Sequence, residues 1–241
     1  MKSPFWWKQL TGCTVQCEVD LERLFETDKQ RDAFETKWPE FLASDSYNQR
    51  VYQKTGKFLT YRSEQLIPKR KRGKGEQKDR KPLLLVFGNP ATHSVDGGMF
   101  FSFDEGRGEH RFWTRILKPA GVLNMPAYDD GLPATECNKL RREELFGLKY
   151  QSDFRIGMSV IVSMPSAASE KTWSGVAGVQ RLLGTAAMRR LEEAETKRVL
   201  MGAKCFFANF SGSRIGAGVT RQEDRNTETE RQEAITKNKE V

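Results

Sequence analysis

The chain has 241 residues, 37% hydrophobic and 30% charged, with a net charge of +8 and a pI near 9.3. That length buries a sizeable core without help from disulfides or metals, and the basic balance favours an anionic partner. No apolar run reaches the ~20 residues of a membrane-spanning helix.

The opening residues, Met1-Lys2-Ser3-Pro4-Phe5-Trp6-Trp7-Lys8, lack the apolar stretch and small-residue cleavage site of a signal peptide. A cytoplasmic, reducing location is therefore expected, with Cys13, Cys17, Cys137 and Cys205 as free thiols. The Cys13/Cys17 spacing is looser than a metal knuckle, and the other two lie far away, so neither metal nor cofactor is expected.

Residues 1–68 read as a helical N-terminal extension. Ala33, Phe34, Trp38, Phe41 and Leu42 recur at helical spacing, and Tyr47, Val51, Tyr52, Phe58 and Leu59 suggest a second helical segment. Residues 69–81, KRKRGKGEQKDRK, form a charge run read as a basic linker or loop. From Leu83 the layout alternates. Leu83-Leu84-Leu85-Val86-Phe87 is a short apolar run closed by Gly-Asn-Pro, as in a strand buried on both faces. His110 to Ala120 and Arg141 to Leu148 read as helices, and Met158 to Met164 as a second buried strand. Val176 to Val199 reads as a helix broken near Gly184, and Lys204 to Asn209 as a third strand. Residues 82–219 thus form an α/β core, a three-layer α/β/α arrangement on a short central parallel sheet. Residues 220–241 are a polar tail with no apolar face to dock.

In such sheets ligands bind beyond the carboxyl ends of the strands. Three loops lie there: Gly88 to Phe103, Ser163 to Trp173 and Asn209 to Gly218. The first runs from Gly88-Asn89-Pro90 through Gly98-Met99-Phe100-Phe101-Ser102-Phe103 to His110-Arg111-Phe112-Trp113. Over about thirty-five residues this resembles the uracil-DNA glycosylase superfamily, and most nearly its mismatch-specific and thymine-type members. Those have G-x-N-P-G after the first buried strand, then a glycine-aromatic segment and an N-R-F-W or N-H-F-W helix start. Asn209-Phe210-Ser211-Gly212-Ser213-Arg214 is similar to the family's second signature, about 120 residues further on. Three positions depart from the pattern: Ala91 for glycine, His110 for asparagine and Phe210 for proline.

The resemblance implies a monofunctional DNA glycosylase of base excision repair, acting as a monomer on DNA that carries a damaged or mismatched base. Asn89 would position the attacking water; the plainer reading of the bare residue is a turn residue capping its own loop. His93 would stabilise charge on the leaving base. Gly88, Pro90, Phe101, Phe103 and Ser163 would form the base pocket, with one of the two phenylalanines stacking on the base and the other in the core. Ser211, Gly212, Ser213 and Arg214 would contact DNA phosphates. Uracil, hypoxanthine, xanthine and a mismatched thymine all remain open as the base. A non-catalytic nucleic-acid-binding relative, or an unrelated α/β enzyme acting on a nucleotide, are the other readings.

Overall fold

The computed structural model describes residues 3–10, 12–68, 80–103, 108–125, 128, 131–168 and 171–207. These all lie in one compact unit and form a mixed α/β fold with two sheets.

The first sheet is antiparallel and four-stranded, built from β1 (Phe5–Gln9), β2 (Thr14–Asp20), β3 (Tyr52–Thr55) and β4 (Phe58–Glu64) in the order β1-β2-β4-β3. About a third of the stretch expected to be a helical extension is therefore strand, and about as much is helix. The reason is visible in β2: Val15, Cys17 and Val19 alternate with polar residues, and all three are fully buried. In the β3–β4 hairpin, Thr55 faces Phe58 across a two-residue loop. Gly56 takes a positive φ of 56° there, which a glycine adopts without strain. Tyr52, Leu59 and Tyr61 then pack inward by twofold alternation, not on one side of a helix.

The helical part of that region is α2 (Asp28–Ala43), flanked by the single turns α1 (Leu21–Leu24) and α3 (Asn48–Val51). Thr27 caps α2 by accepting from the Gln30 amide at 3.3 Å. Phe34, Trp38 and Phe41 form its buried stripe, at the spacing read from sequence. Trp38 stacks on both Phe34 and Phe41, with ring centroids 5.5 and 5.8 Å away. This aromatic column sits in one continuous core with Val15, Cys17, Val19, Val162, Met164 and Leu191. The N-terminal residues are thus part of the same domain as the later helices. They are not an appendage to it.

The second sheet is a parallel pair, β5 (Lys81–Phe87) with β6 (Phe154–Val160), in register from Lys81↔Phe154 to Phe87↔Val160. Between them come α4 (Thr92–Gly97), a π-helical segment (Phe112–Leu117) and α5 (Ala134–Gly147). The π-helical turn occupies the stretch expected to be an ordinary helix from His110 to Ala120. β6 is almost wholly buried, but β5 is only half-buried and Val86 is 43% exposed. The expectation that β5 is buried on both faces is therefore corrected: its residues are only partly covered, and among the described residues just one of its edges, the one toward β6, is paired with a strand. A bridge from Leu66 to Met158, with both hydrogen bonds at 2.8 Å, joins the two sheets just past β4.

No third parallel strand exists among the described residues. Lys204 to Phe207, expected to begin one, instead ends the long helix α7 (Thr185–Phe207). Gly202 is the weakest helix former near that point, and one glycine costs about 1 kcal/mol, too little to stop a helix already nucleated. The break expected near Gly184 is present: α6 (Gly175–Leu183) ends at Gly184, whose φ of 78° and ψ of 159° suit glycine alone. The basic run 69–79 and the polar tail lie outside the described residues. No helix among the described residues is long and apolar enough to cross a membrane.

Candidate functional site

The site is assembled where the ends of β5 and β6 continue side by side. Beyond the strands, Ile161 and Val162 donate to the carbonyls of Phe87 and Gly88 at 2.8 and 2.9 Å. Ser166 then donates to Pro90 at 3.1 Å, and Thr92 donates to Ser166 at 3.0 Å. The two strand-end loops are therefore zipped together by backbone hydrogen bonds, which fixes Asn89 between them. A side chain at Gly88 would meet Val176 at 3.0 Å, so glycine allows the close approach of α6.

A pocket of about 240 Å³ opens over this zipper. Asn89, Pro90, Ala91, His93 and Ser94 line it from the first loop and the start of α4. Ser166, Ala167, Ala168 and Gly175 line it from the second loop, Phe101 and His110 from the aromatic segment, and Glu64 from the end of β4.

Asn89 is held by more than its own turn. Its Nδ2 donates to Ser166 Oγ at 2.9 Å and to the Met164 carbonyl at 3.1 Å; a longer contact of 3.5 Å reaches the neighbouring Pro90 carbonyl. With the amide nitrogen committed to protein acceptors, Oδ1 is the group left to a ligand or water. That arrangement can orient a water by accepting one of its protons. An amide oxygen is too weak a base to remove that proton.

Phe101 has a φ of 47°, a left-handed conformation that is uncommon for an aromatic residue. Its ring stacks on Phe112 at 4.2 Å and lies 4.9 Å from His110, while Trp113 Nε1 donates to its carbonyl at 3.0 Å. Strain of this kind persists where surrounding contacts over-determine it. Phe103 does not line the pocket. Its amide donates to Asn138 at 2.6 Å, and its ring packs against the buried Arg141 guanidinium, which Trp113 also faces.

Two pocket groups have shifted titration. Burial lowers the pKa of His110 from its ordinary value, and His93, Arg141 and Arg111 push in the same direction, so its ring is neutral at pH 7. His110 Nδ1 accepts from the Phe112 amide at 3.1 Å, which places the proton of the neutral ring on Nε2. Burial raises Glu64 well above the carboxylate range, favouring the uncharged acid. His93 packs edge-on to Tyr47 at 6.3 Å. A neutral histidine, a neutral carboxyl, an amide and an aromatic face together suit an uncharged, polar, flat ligand.

Ser163 is placed differently from the sequence expectation. It is fully buried and does not line the pocket. Glu195 of α7 accepts from both its amide, at 2.6 Å, and its hydroxyl, and Tyr61 shares the hydroxyl at 2.7 Å. Ser163 thus anchors the second loop from beneath. Ser211, Gly212, Ser213 and Arg214 lie outside the described residues. Sequence reasoning missed Glu64, Ser94, Ser166 and the pocket position of His110. Only His110 carried a signal, as the replacement for asparagine at the head of HRFW.

Cys13, Cys17 and Cys137 are free and buried, and burial pushes the Cys17 thiol up to about 12, so it is inert. Among the described residues no group of three or more His, Cys, Asp or Glu side chains could hold a metal ion. Neither the family models, nor the curated proteins, nor the solved structures contain a match to this chain.

Proposed function

We propose that this pocket receives a nucleobase turned out of DNA, and that the protein is a monofunctional glycosylase of the uracil-DNA glycosylase type. The observation that carries the reading is Asn89. Its amide nitrogen is tied down by Met164 and Ser166, and its oxygen remains for a water beside an aromatic face. The motif resemblance through LLVFGNP, GMFFSF and HRFW supplies the chemistry.

In this reading the bond between C1′ and the base nitrogen breaks first, and its electron pair leaves with the base. The water held by Asn89 adds to the cationic sugar carbon, and its proton passes to solvent or to the departing base. Positioning suffices because an oxocarbenium-like centre needs no strong nucleophile. Phe101 stacks on the base and offsets part of the few kcal/mol that unstacking costs. The Nε2–H of neutral His110, together with His93, stabilises charge gathering on the base carbonyls. The pocket volume of about 240 Å³ matches one base with a few waters and is too small for a dinucleotide. The net charge of +8 suits a polyanionic partner.

The test is incubation with duplexes bearing single uracil, hypoxanthine, xanthine or mismatched thymine, followed by alkali cleavage of abasic sites. Strand scission on at least one substrate supports the reading. Salt-dependent DNA binding with no abasic sites selects a non-catalytic relative instead, and no DNA binding at low salt removes both.

A further inference from the structure

Glu64 belongs to none of the motifs considered so far. It is the last residue of β4, where it faces Thr14 of β2, and it reaches the pocket from the antiparallel sheet. The residue is 2% exposed, and its Oε1 has no hydrogen-bond partner. A buried polar atom without a partner costs about 1–3 kcal/mol unless something else satisfies it. A carboxyl that lines a ligand-sized cavity, with one oxygen unsatisfied, therefore points to a partner delivered by the ligand.

We propose that Glu64 is a substrate-contacting residue whose carboxyl reads the adjacent N–H and C=O groups of a lactam-type base. This deepens the glycosylase reading above and rests on it. As an acid, the group has one donor and one acceptor side by side. Its O–H donates to the base carbonyl while its own C=O accepts from the ring N–H, closing a two-bond pair. Burial favours that uncharged form, and no cation bonds to Glu64 among the described residues; the Cys13 thiol feels its charge, and His93 and His110 share the cavity. His110, protonated on Nε2, adds a second donor, so the pocket favours carbonyl-bearing bases such as uracil or hypoxanthine over amino-bearing ones. The same O–H bond strengthens as the base leaves with negative charge.

The experiment measures binding of the whole protein to a duplex in which non-cleavable 2′-fluoro-2′-deoxyuridine, or its N3-methyl derivative, stands opposite an abasic site. Neither base is paired there, so only recognition by the protein differs. Wild type should prefer the unmethylated base by about 30-fold or more, as expected when a buried pair is broken. Glu64→Leu should bring that preference to within about threefold, whereas Glu64→Gln, which keeps a donor and an acceptor, should retain most of it. Discrimination that survives in Glu64→Leu, or is lost in Glu64→Gln while the fold is intact, overturns the inference. If Glu64→Leu does not fold, Glu64→Asp replaces it, because withdrawing the carboxyl by one methylene should also erase most of the preference. A wild type that binds the uracil duplex but ignores the methyl group sinks the Glu64 proposal alone. A wild type that does not bind the duplex sinks the glycosylase reading with it.

Discussion

Glu195 is buried beneath the second loop, and its titration is coupled to folding in a direction that can be measured. Burial raises its pKa to about 7, opposed by Arg198 and by the two hydrogen bonds from Ser163. The groups facing it are Arg198 on its own helix at 3.8 Å, Glu192 one turn away, Ser163, Tyr61 of β4, Tyr52 of β3 and Cys17 of β2. In the unfolded chain the carboxyl titrates at its ordinary value of 4.5. Between these values the folded state binds more protons, so stability falls as pH rises. The contribution is fully present below the unfolded value and is lost on passing through about 7. It amounts to on the order of 3 kcal/mol. Glu195→Gln keeps the shape and cannot titrate; its oxygen still accepts from the Ser163 amide, and its Nε2 donates to the Ser163 hydroxyl, which turns its own proton to Tyr61. Urea unfolding of both proteins from pH 4.5 to 8 at constant ionic strength gives the difference in unfolding free energy between them. That difference should move against wild type by about 3 kcal/mol across the range. Glu64 acts with the same sign in both proteins and cancels. A flat or rising difference curve would refute the assignment of a buried, proton-binding carboxyl here.

Two further predictions probe packing and the pocket. Gly178→Ala places a methyl 2.3 Å from the Trp173 carbonyl, a backbone group that cannot rotate away. The helix-propensity gain of about 1 kcal/mol should lose to the overpacking cost, for a net destabilisation of about 2 kcal/mol in urea unfolding. No loss of stability would mean that α6 does not lie so close to the second loop. Phe101→Ala removes the aromatic face, so excision of uracil under single-turnover conditions should fall roughly 5- to 150-fold with the fold unchanged, the range that base stacking on one ring supplies. Unchanged excision would show that the base stacks elsewhere.

Sequence legibility followed the range of the interactions. α2 could be read because Phe34, Trp38 and Phe41 repeat at helical spacing, and Thr27 marks its start. The Gly88-Asn89-Pro90 loop could be read because a strand ends into it. β2 carries a clear alternation in Val15, Cys17 and Val19, but the helical spacing of the residues that follow it, from Ala33 to Leu59, suggested helix for the whole region and masked it. β3 and β4 were hidden for a related reason: Val51, Tyr52, Phe58 and Leu59 fit a helical period until Gly56 is recognised as the turn of a hairpin. The expected third strand rested on a short apolar run, Cys205-Phe206-Phe207, which cannot be told from the end of a helix without a stop signal between them. The second strand lies four residues earlier than the expected Met158–Met164, so Ser163 falls three residues past the end of β6, and the burial of its hydroxyl depends on Glu195, which α7 brings in from elsewhere in the chain. Glu64 had no local signal, because strand pairing between β4 and β2 is what carries it to the pocket.

The claim at the centre of this account is that Asn89 holds a water against a flipped base. Single-turnover excision from a uracil-containing duplex, comparing wild type with Asn89→Ala, tests it most directly. Wild type should give abasic sites and the variant a loss of about 100-fold or more with DNA binding preserved, because misplacing the water removes a positioning effect of that size. The lost bonds to Met164 and Ser166 should lower the unfolding free energy by about 1–3 kcal/mol without unfolding the protein. Base excision that is undiminished in a folded Asn89→Ala protein would contradict it.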